Sequence, residues 1–226
     1  MTATARGKRM PIAPTRPAGG AQLRAERTRA SIMDETVRCV VEEGFAAASA
    51  KHIAERAGVT WGVIQYHFGD RDGLLAAVVD AGFDELRACM ATVDVPHGSS
   101  RKQVTALVDA AWAAFSTPTS RASLEILVAT RARRDQATNV HLVAMAGQLT
   151  RLGADLIGDR RHVGDARAIG DLLWATLRGL VLTQMVVNEP VDSTRERAAL
   201  VDLLVARLDA DPPTRRRRST KGSASG

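Results

Sequence analysis

Apolar side chains between residues 23 and 44 recur along one helical face. Met33, Val37, Val40 and Val41 stand at i, i+4, i+7 and i+8, and Gly44 then offers a C-terminal stop. Beyond that stop the periodic segments shorten. Ser49 can cap a second helix that runs through Arg56, Gly58 supplies the freedom of a turn, and Thr60 can cap a third helix over residues 61–67. Asp70 can cap a fourth from Arg71 to about Met90. The helical period continues through segments near 101–116, 120–132 and 135–158, then through two strongly apolar ones at 165–187 and 193–209. The breaks between them are "VDVPHGSS", "STPTS", "GDRRHVGD" and Asn188-Glu189-Pro190. No strand-like alternation or internal repeat is visible, so the predicted fold class is all-α.

Composition narrows the function classes. The 226 residues, 45% of them hydrophobic, suffice for one large domain or two small ones. The most apolar stretch, "DLLWATLRGLVLTQMVV", carries Arg178 and Gln184, so no membrane span is expected. The first residues hold basic side chains without an apolar core, unlike a secretory signal, and Cys39 and Cys89 are isolated from each other. Both traits point to a cytoplasmic protein. The net charge of +6 is unevenly placed. Residues 1–20 carry +4, residues 211–226 carry +4, and the body between them is near −2. The basic ends read as disordered tails, which either solubilise the chain or draw it to phosphate backbones without sequence preference.

The stretch "HIAERAGVTWGVIQYHFGDRDGLL", residues 52–75, is where chemistry concentrates. Trp61, Tyr66 and Phe68 fall close together in a chain only 4% aromatic. Two short helices joined by a glycine turn match a helix-turn-helix, whose second helix enters the DNA major groove. Ile53, Ala54, Ala57, Val59, Ile64 and Phe68 can form its small core. That leaves Trp61, Gly62, Gln65, Tyr66 and His67 outward. Gln reads adenine edges bidentately, Tyr and His donate to phosphates, and Gly lets backbone approach closely. Lys51 and Arg71 flank this surface at the starts of their helices. A plain helical corner with incidental aromatics would carry some of the same features.

The longer stretch "AAASAKHIAERAGVTWGVIQYHFGDRDGLLAAV" closely resembles the DNA-binding segment of TetR-family transcriptional repressors. The resemblance is specific over about residues 24–80 and extends further only as helical layout. It implies an N-terminal three-helix helix-turn-helix unit, residues 21–70, joined to a larger C-terminal helical ligand-binding and dimerisation domain, residues 71–210. It further implies a homodimer, with the last two long helices of each subunit forming a four-helix bundle. Leu172, Leu173, Leu177, Leu180 and Val181, with Leu200, Leu203, Leu204 and Leu208, form the stripes available for that role, although an internal core would show the same stripes. The implied DNA-facing residues are Ser49, Lys51, Thr60, Trp61, Gly62, Val63, Gln65, Tyr66, His67 and Arg71. Arg71 stands where the family commonly has a phosphate-contacting lysine. Gln65 replaces a usual Tyr, and Val63 a small or hydroxylated residue, which leaves the operator sequence open.

Catalytic and metal signatures are not found: the five histidines are scattered and the cysteines lack ligand spacing, so no catalytic residue, metal or cofactor is expected. Trp112, Phe115, Leu142, Met145, Leu149 and Trp174 are candidates to line a ligand cavity between helices, with His141 and Arg178 the nearest polar groups. The expected function is a ligand-responsive transcriptional repressor that binds a palindrome-like double-stranded DNA operator as a homodimer and is released by a small-molecule inducer. The alternatives are a helical sensing or partner-binding protein without sequence-specific DNA binding, and a non-specific binder working through its arginine tails.

Overall fold

The computed structural model describes residues 18–134, 136–157, 163–187 and 191–210; the basic ends at 1–17 and 211–226 lie outside them. Among the described residues there are nine α-helices and no strand: α1 (Ala18–Glu43), α2 (Ala50–Arg56), α3 (Trp61–Phe68), α4 (Arg71–Ala91), α5 (Ser100–Phe115), α6 (Pro118–Thr130), α7 (Gln136–Ile157), α8 (Val163–Val186) and α9 (Thr194–Asp209). The all-α expectation holds, with helix boundaries close to those predicted. α1 begins at Ala18 rather than residue 23, since Ala21, Gln22, Arg24, Ala25 and Glu26 are good helix formers and Gln22 donates to Glu26 one turn on at 3.2 Å.

The buried face of α1 overlaps the predicted one at Val37 and Val40 but is not identical to it. Ile32, Thr36, Cys39 and Val40 are fully buried, whereas Val41 is 38% exposed and Met33 only partly covered. Thr36 and Cys39 look polar in a periodicity reading but behave otherwise here. The Thr36 hydroxyl donates to the Ile32 carbonyl at 2.7 Å, and a free cysteine packs as a small hydrophobe.

Two apolar cores divide the chain. The first gathers Ile32, Val40, Ile53, Ile64, Leu74 and Val78 from α1–α4, and also Ala122 and Ile126 from α6. The second gathers residues of α4, α5, α8 and α9, among them Met90, Val108, Leu173, Leu177, Val181 and Leu204. Each fully buried aliphatic side chain contributes about 1.5–3 kcal/mol relative to exposure. α4 serves both cores, Leu74 to Val79 in the first and Leu86 and Met90 in the second, while Phe83 packs against each. At about 1.5 Å per residue this helix is a rod of roughly 30 Å joining the N-terminal unit to the larger helical domain.

The leucine stripes of the last two helices split. Leu173, Leu177 and Val181 of α8 and Leu200 and Leu204 of α9 point into the second core, while Leu172 (49% exposed) and Leu203 (65% exposed) face outward. Most of that periodicity is therefore internal packing, the alternative that the sequence left open. Among the described residues no helix is long and apolar enough to cross a membrane.

Candidate nucleic-acid interface and ligand cavity

The turn between α2 and α3 follows from its residues. The Ser49 hydroxyl accepts from His52 N at 3.2 Å and starts α2. At the other end Gly58 takes φ +64°, its N–H donates to Glu55 O at 3.2 Å, and Val59 N donates to Ala54 O at 3.0 Å. This is the paired hydrogen-bonding of a Schellman stop, and it needs a left-handed residue that glycine supplies without strain. α3 then leaves from Thr60 and ends at Gly69, φ +81°, whose N–H closes on Gln65 O at 2.9 Å.

The inner face of α3 is anchored by Ile64, fully buried, with Trp61, Val63 and Phe68 packed around the same core. Trp61 and Val63 are thus half-buried wall residues, not purely outward ones, because Trp61, Ile64 and Phe68 share one helical face at i, i+3 and i+7. The outward face holds Thr60, Gly62, Gln65 and Tyr66, the last 81% exposed, with His67 at its edge. Lys51 on α2 is open to solvent apart from a 3.8 Å pair with Glu55. An exposed tyrosine beside an exposed glutamine, on a helix whose back is fixed, suits base-edge and phosphate contact.

Three arginines brace this unit. Arg71 donates from Nε to Ala48 O at 2.6 Å and stacks over the Phe45 ring at 4.9 Å, tying the start of α4 to the loop before α2. Arg29 of α1 donates to His67 O at 3.3 Å and lies over the Phe68 ring at 4.4 Å, clamping the end of α3. Arg56 bonds Glu42 at 2.8 Å, Glu35 at 3.5 Å, and Glu43. Glu43 also accepts from His52 at 2.8 Å; that hydrogen bond, then the one from Arg56, holds its carboxyl below the usual range. The hydrogen bonds that Arg56 donates to Glu42 and Glu43 in turn raise its guanidinium above its ordinary value. Cys39, Glu43 and His52 bring three potential metal donors within 4.8 Å of one another. Arg56 is already on the same carboxylate, so Glu43 and His52 belong to an ion-pair network, with Cys39 buried beside it as a free thiol.

The C-terminal helices enclose two neighbouring cavities with Leu127, Arg134 and Leu142 in both walls. One, of about 490 Å³, sits between α4, α6 and α7 and is partly polar, with Asp72, Asp80 and His141 on its surface; His141 pairs with Asp80 at 3.1 Å. The other, of about 340 Å³, reaches α4, α5, α6, α7 and α8 and is mainly apolar, with Phe83, Leu86, Phe115, Leu124 and Leu142 among its walls and Arg178 on its α8 side. Burial pushes the Arg178 guanidinium below its usual value.

Residues 32–78 match the family model for bacterial regulatory proteins of the tetR family. Over those residues the chain is similar to that family. It is 27% identical over 194 residues to the HTH-type transcriptional regulator BetI of Escherichia coli strain K12, covering 81% of this chain and 95% of that one. A tetR-family bacterial regulatory protein from Rhodococcus RHA1 shares the fold at TM-score 0.64 and 15% identity, covering 82% of this chain and 99% of its own. The multidrug binding protein EbrR, solved with imidazole, superposes at TM-score 0.54 and 24% identity over 83% of this chain and 97% of its own.

Within this helix-turn-helix the expected DNA-facing residues lie together on α2, α3, the caps before them and the start of α4. The expected cavity residues scatter instead. Phe115 and Leu142 line the apolar cavity. Trp174 is 3% exposed and meets Phe115 edge-on at 5.9 Å, one layer behind the wall. Trp112 lies under the Arg197 guanidinium at 5.0 Å, on the α5–α9 side, because its position on α5 turns it toward α9. Met145 is half-buried on α7 outside both linings, and the side chain of Leu149 lies outside the described residues. Periodicity identified large apolar groups correctly but could not say which surround empty space. Two residues went unnoticed in the sequence: Arg29, described above, and Glu125 of α6, which accepts from Phe45 N across 80 positions. No local pattern signals either.

Proposed function

We propose that this regulator is a ligand-responsive repressor that binds a palindrome-like operator as a homodimer and is released by a small-molecule inducer. The observation that carries the reading is the face of α3. Gly62, Gln65 and Tyr66 stand exposed while Ile64 behind them is fully buried, an outward surface on an anchored helix. Thr60, Val63 and His67 extend it along α3, Ser49 and Lys51 flank it from α2, and Arg71 stands beside it at the start of α4, one outer nitrogen 3.9 Å from Asp72.

The dimer reading is supported by an uncovered apolar face. Leu172, Ala175, Gly179 and Val186 on α8 and Leu203 and Ala206 on α9 are exposed, and a Cβ added at Gly179 meets nothing within 4 Å. Small residues among aliphatic ones allow two such helix pairs to approach closely, and a two-fold pair matches a palindromic site. Release by ligand is supported by the dual role of α6. Leu124, Leu127 and Val128 wall the apolar cavity, while Ala122 and Ile126 belong to the core of the DNA-binding unit and Glu125 holds Phe45. An occupant that shifts α6 or α4 biases the helix-turn-helix, provided that it binds the released state more tightly.

Selection of duplexes from a random library at physiological salt tests the reading, using the full chain and a version cut to residues 18–210. The cut follows the start of α1 at Ala18. Enrichment of a palindrome bound by both forms upholds specific recognition by the folded dimer. Binding that disappears with the basic ends favours a non-specific binder, and no enrichment at all favours a sensing protein without DNA specificity.

A further inference from the structure

We propose that the apolar cavity takes a small organic carboxylate with an apolar body, and that Arg178 is the group that binds its charged end. The inference rests on the ligand-responsive reading above and names the class of ligand. The walls are aliphatic and aromatic, and three guanidinium groups, Arg131, Arg134 and Arg178, share the lining with no Asp or Glu among the described residues. Two of the three have internal hydrogen bonds: Arg131 Nη1 donates to Val128 O at 3.1 Å, and Arg134 Nε to Thr130 Oγ1 at 3.4 Å. Arg178 has no hydrogen-bond or ion-pair partner among the described residues, although it sits in the middle of α8 between Leu177 and Leu182.

An arginine does not deprotonate in a protein, so this position holds a partly desolvated positive charge facing apolar space. Such a charge is costly unless paired, and the depressed value of the guanidinium reflects that desolvation. A carboxylate restores the missing partner with two parallel hydrogen bonds, and its hydrocarbon part covers the apolar walls. A cation adds a like charge to a site already positive, and a neutral alcohol leaves the guanidinium without its counter-ion. The volume of about 340 Å³ falls at the lower end of small-ligand cavities.

Trp174 touches Phe115, a wall residue, so tryptophan emission of the full chain reports occupancy. The probes are decanoate, 2-naphthoate, decanol and decyltrimethylammonium, each below its micellar range and cross-checked by calorimetry. Saturable binding of decanoate or 2-naphthoate, at least tenfold tighter than decanol and with no saturable response to the ammonium, is the expected result. Arg178→Met weakens the carboxylate at least tenfold, leaves decanol unchanged, and melts no lower than the parent because an unpaired charge is removed. The proposal is overturned by decanol or ammonium binding as tightly as the anions, by neither anion binding, or by an unchanged carboxylate affinity in Arg178→Met. Should that variant melt below the parent, Arg178→Lys replaces it: carboxylate binding kept within tenfold upholds the proposal and its loss overturns it. Anion binding that leaves a selected operator complex intact upholds the cavity assignment and removes ligand-driven release. Operator binding by a chain that takes neither anion overturns this inference alone.

Discussion

Gln65 and Arg71 are both polar groups at the DNA-facing end of the N-terminal unit, yet their surroundings differ. Gln65 is exposed with no side-chain hydrogen bond among the described residues, so nothing competes with a base for it. Gln65→Ala is expected to leave the melting temperature unchanged and to cost about 1–3 kcal/mol at the selected site, relaxing preference at one base pair; equal loss on random duplex would move it to the backbone. Arg71 is already engaged with Ala48 O and the Phe45 ring. Arg71→Ala should therefore both lower the melting temperature and weaken all duplexes, with the salt slope shallower by about 1 if its outer nitrogens reach phosphate. Glu43 gives a pH signature. Its carboxyl titrates below the ordinary 4.5, so its contribution to stability is present above about pH 4.5 and is lost as the pH falls through the depressed value. Melting curves between about pH 5 and about pH 3 should fall more steeply for the parent than for Glu43→Gln.

Among the helices, the α4–α6 contact is the one that ties the cavity to the DNA-binding unit. A Cβ at Gly82 would stand 2.3 Å from Ser123 Oγ and 3.0 Å from Ser123 Cβ, while Ser123 Oγ donates to Val78 O at 3.0 Å and Thr119 O at 2.7 Å. Gly82→Ala is expected to destabilise by about 1–3 kcal/mol through overpacking. Ser123→Gly should relieve part of that loss in a double-mutant cycle, measured by denaturant unfolding, whereas strict additivity would mean that the two helices do not press on each other there. The helices themselves were legible in the sequence because caps and periodicity act within a turn or two: Ser49 and Asp70 each accept the N–H three residues on as expected, whereas Thr60 stands at the N-cap of α3 without a side-chain cap bond. The inner stripe of α1 was read correctly at Val37 and Val40, but Ile32, Thr36 and Cys39 complete it in place of Val41, since a threonine that bonds its own helix counts as core in a packed interior.

Assembly is tested by the outward leucine on α9. Leu203 is 65% exposed, so Leu203→Arg costs the isolated subunit little, yet it would bury a charge between two copies. Sedimentation should report a monomer that melts as a folded species and binds a single half-site weakly; an unchanged dimer would assign the contact to another face. A substitution at Leu177 would not serve, because that side chain is fully buried in the second core and its loss unfolds the subunit. The surface pairs Arg101–Asp202 at 2.7 Å and Arg197–Asp109 at 3.4 Å link α5 to α9, but at such exposure each contributes only about 0–1 kcal/mol.

Local chemistry was enough to place the helices, the glycine turn and the exposed Gln65–Tyr66 face, because hydrogen bonds and burial periods there span a few residues. It was not enough for the partners of Arg29 and Glu125, which lie 38 and 80 positions away. Nor could it divide Leu173 from Leu172 or Leu204 from Leu203, since neighbouring leucines differ only in which side of the helix meets another one. The cavity belongs to the same category. An apolar residue beside a void and one beside a neighbour have identical sequence signatures, and only the meeting of α4, α5, α6, α7 and α8 leaves space in front of Arg178.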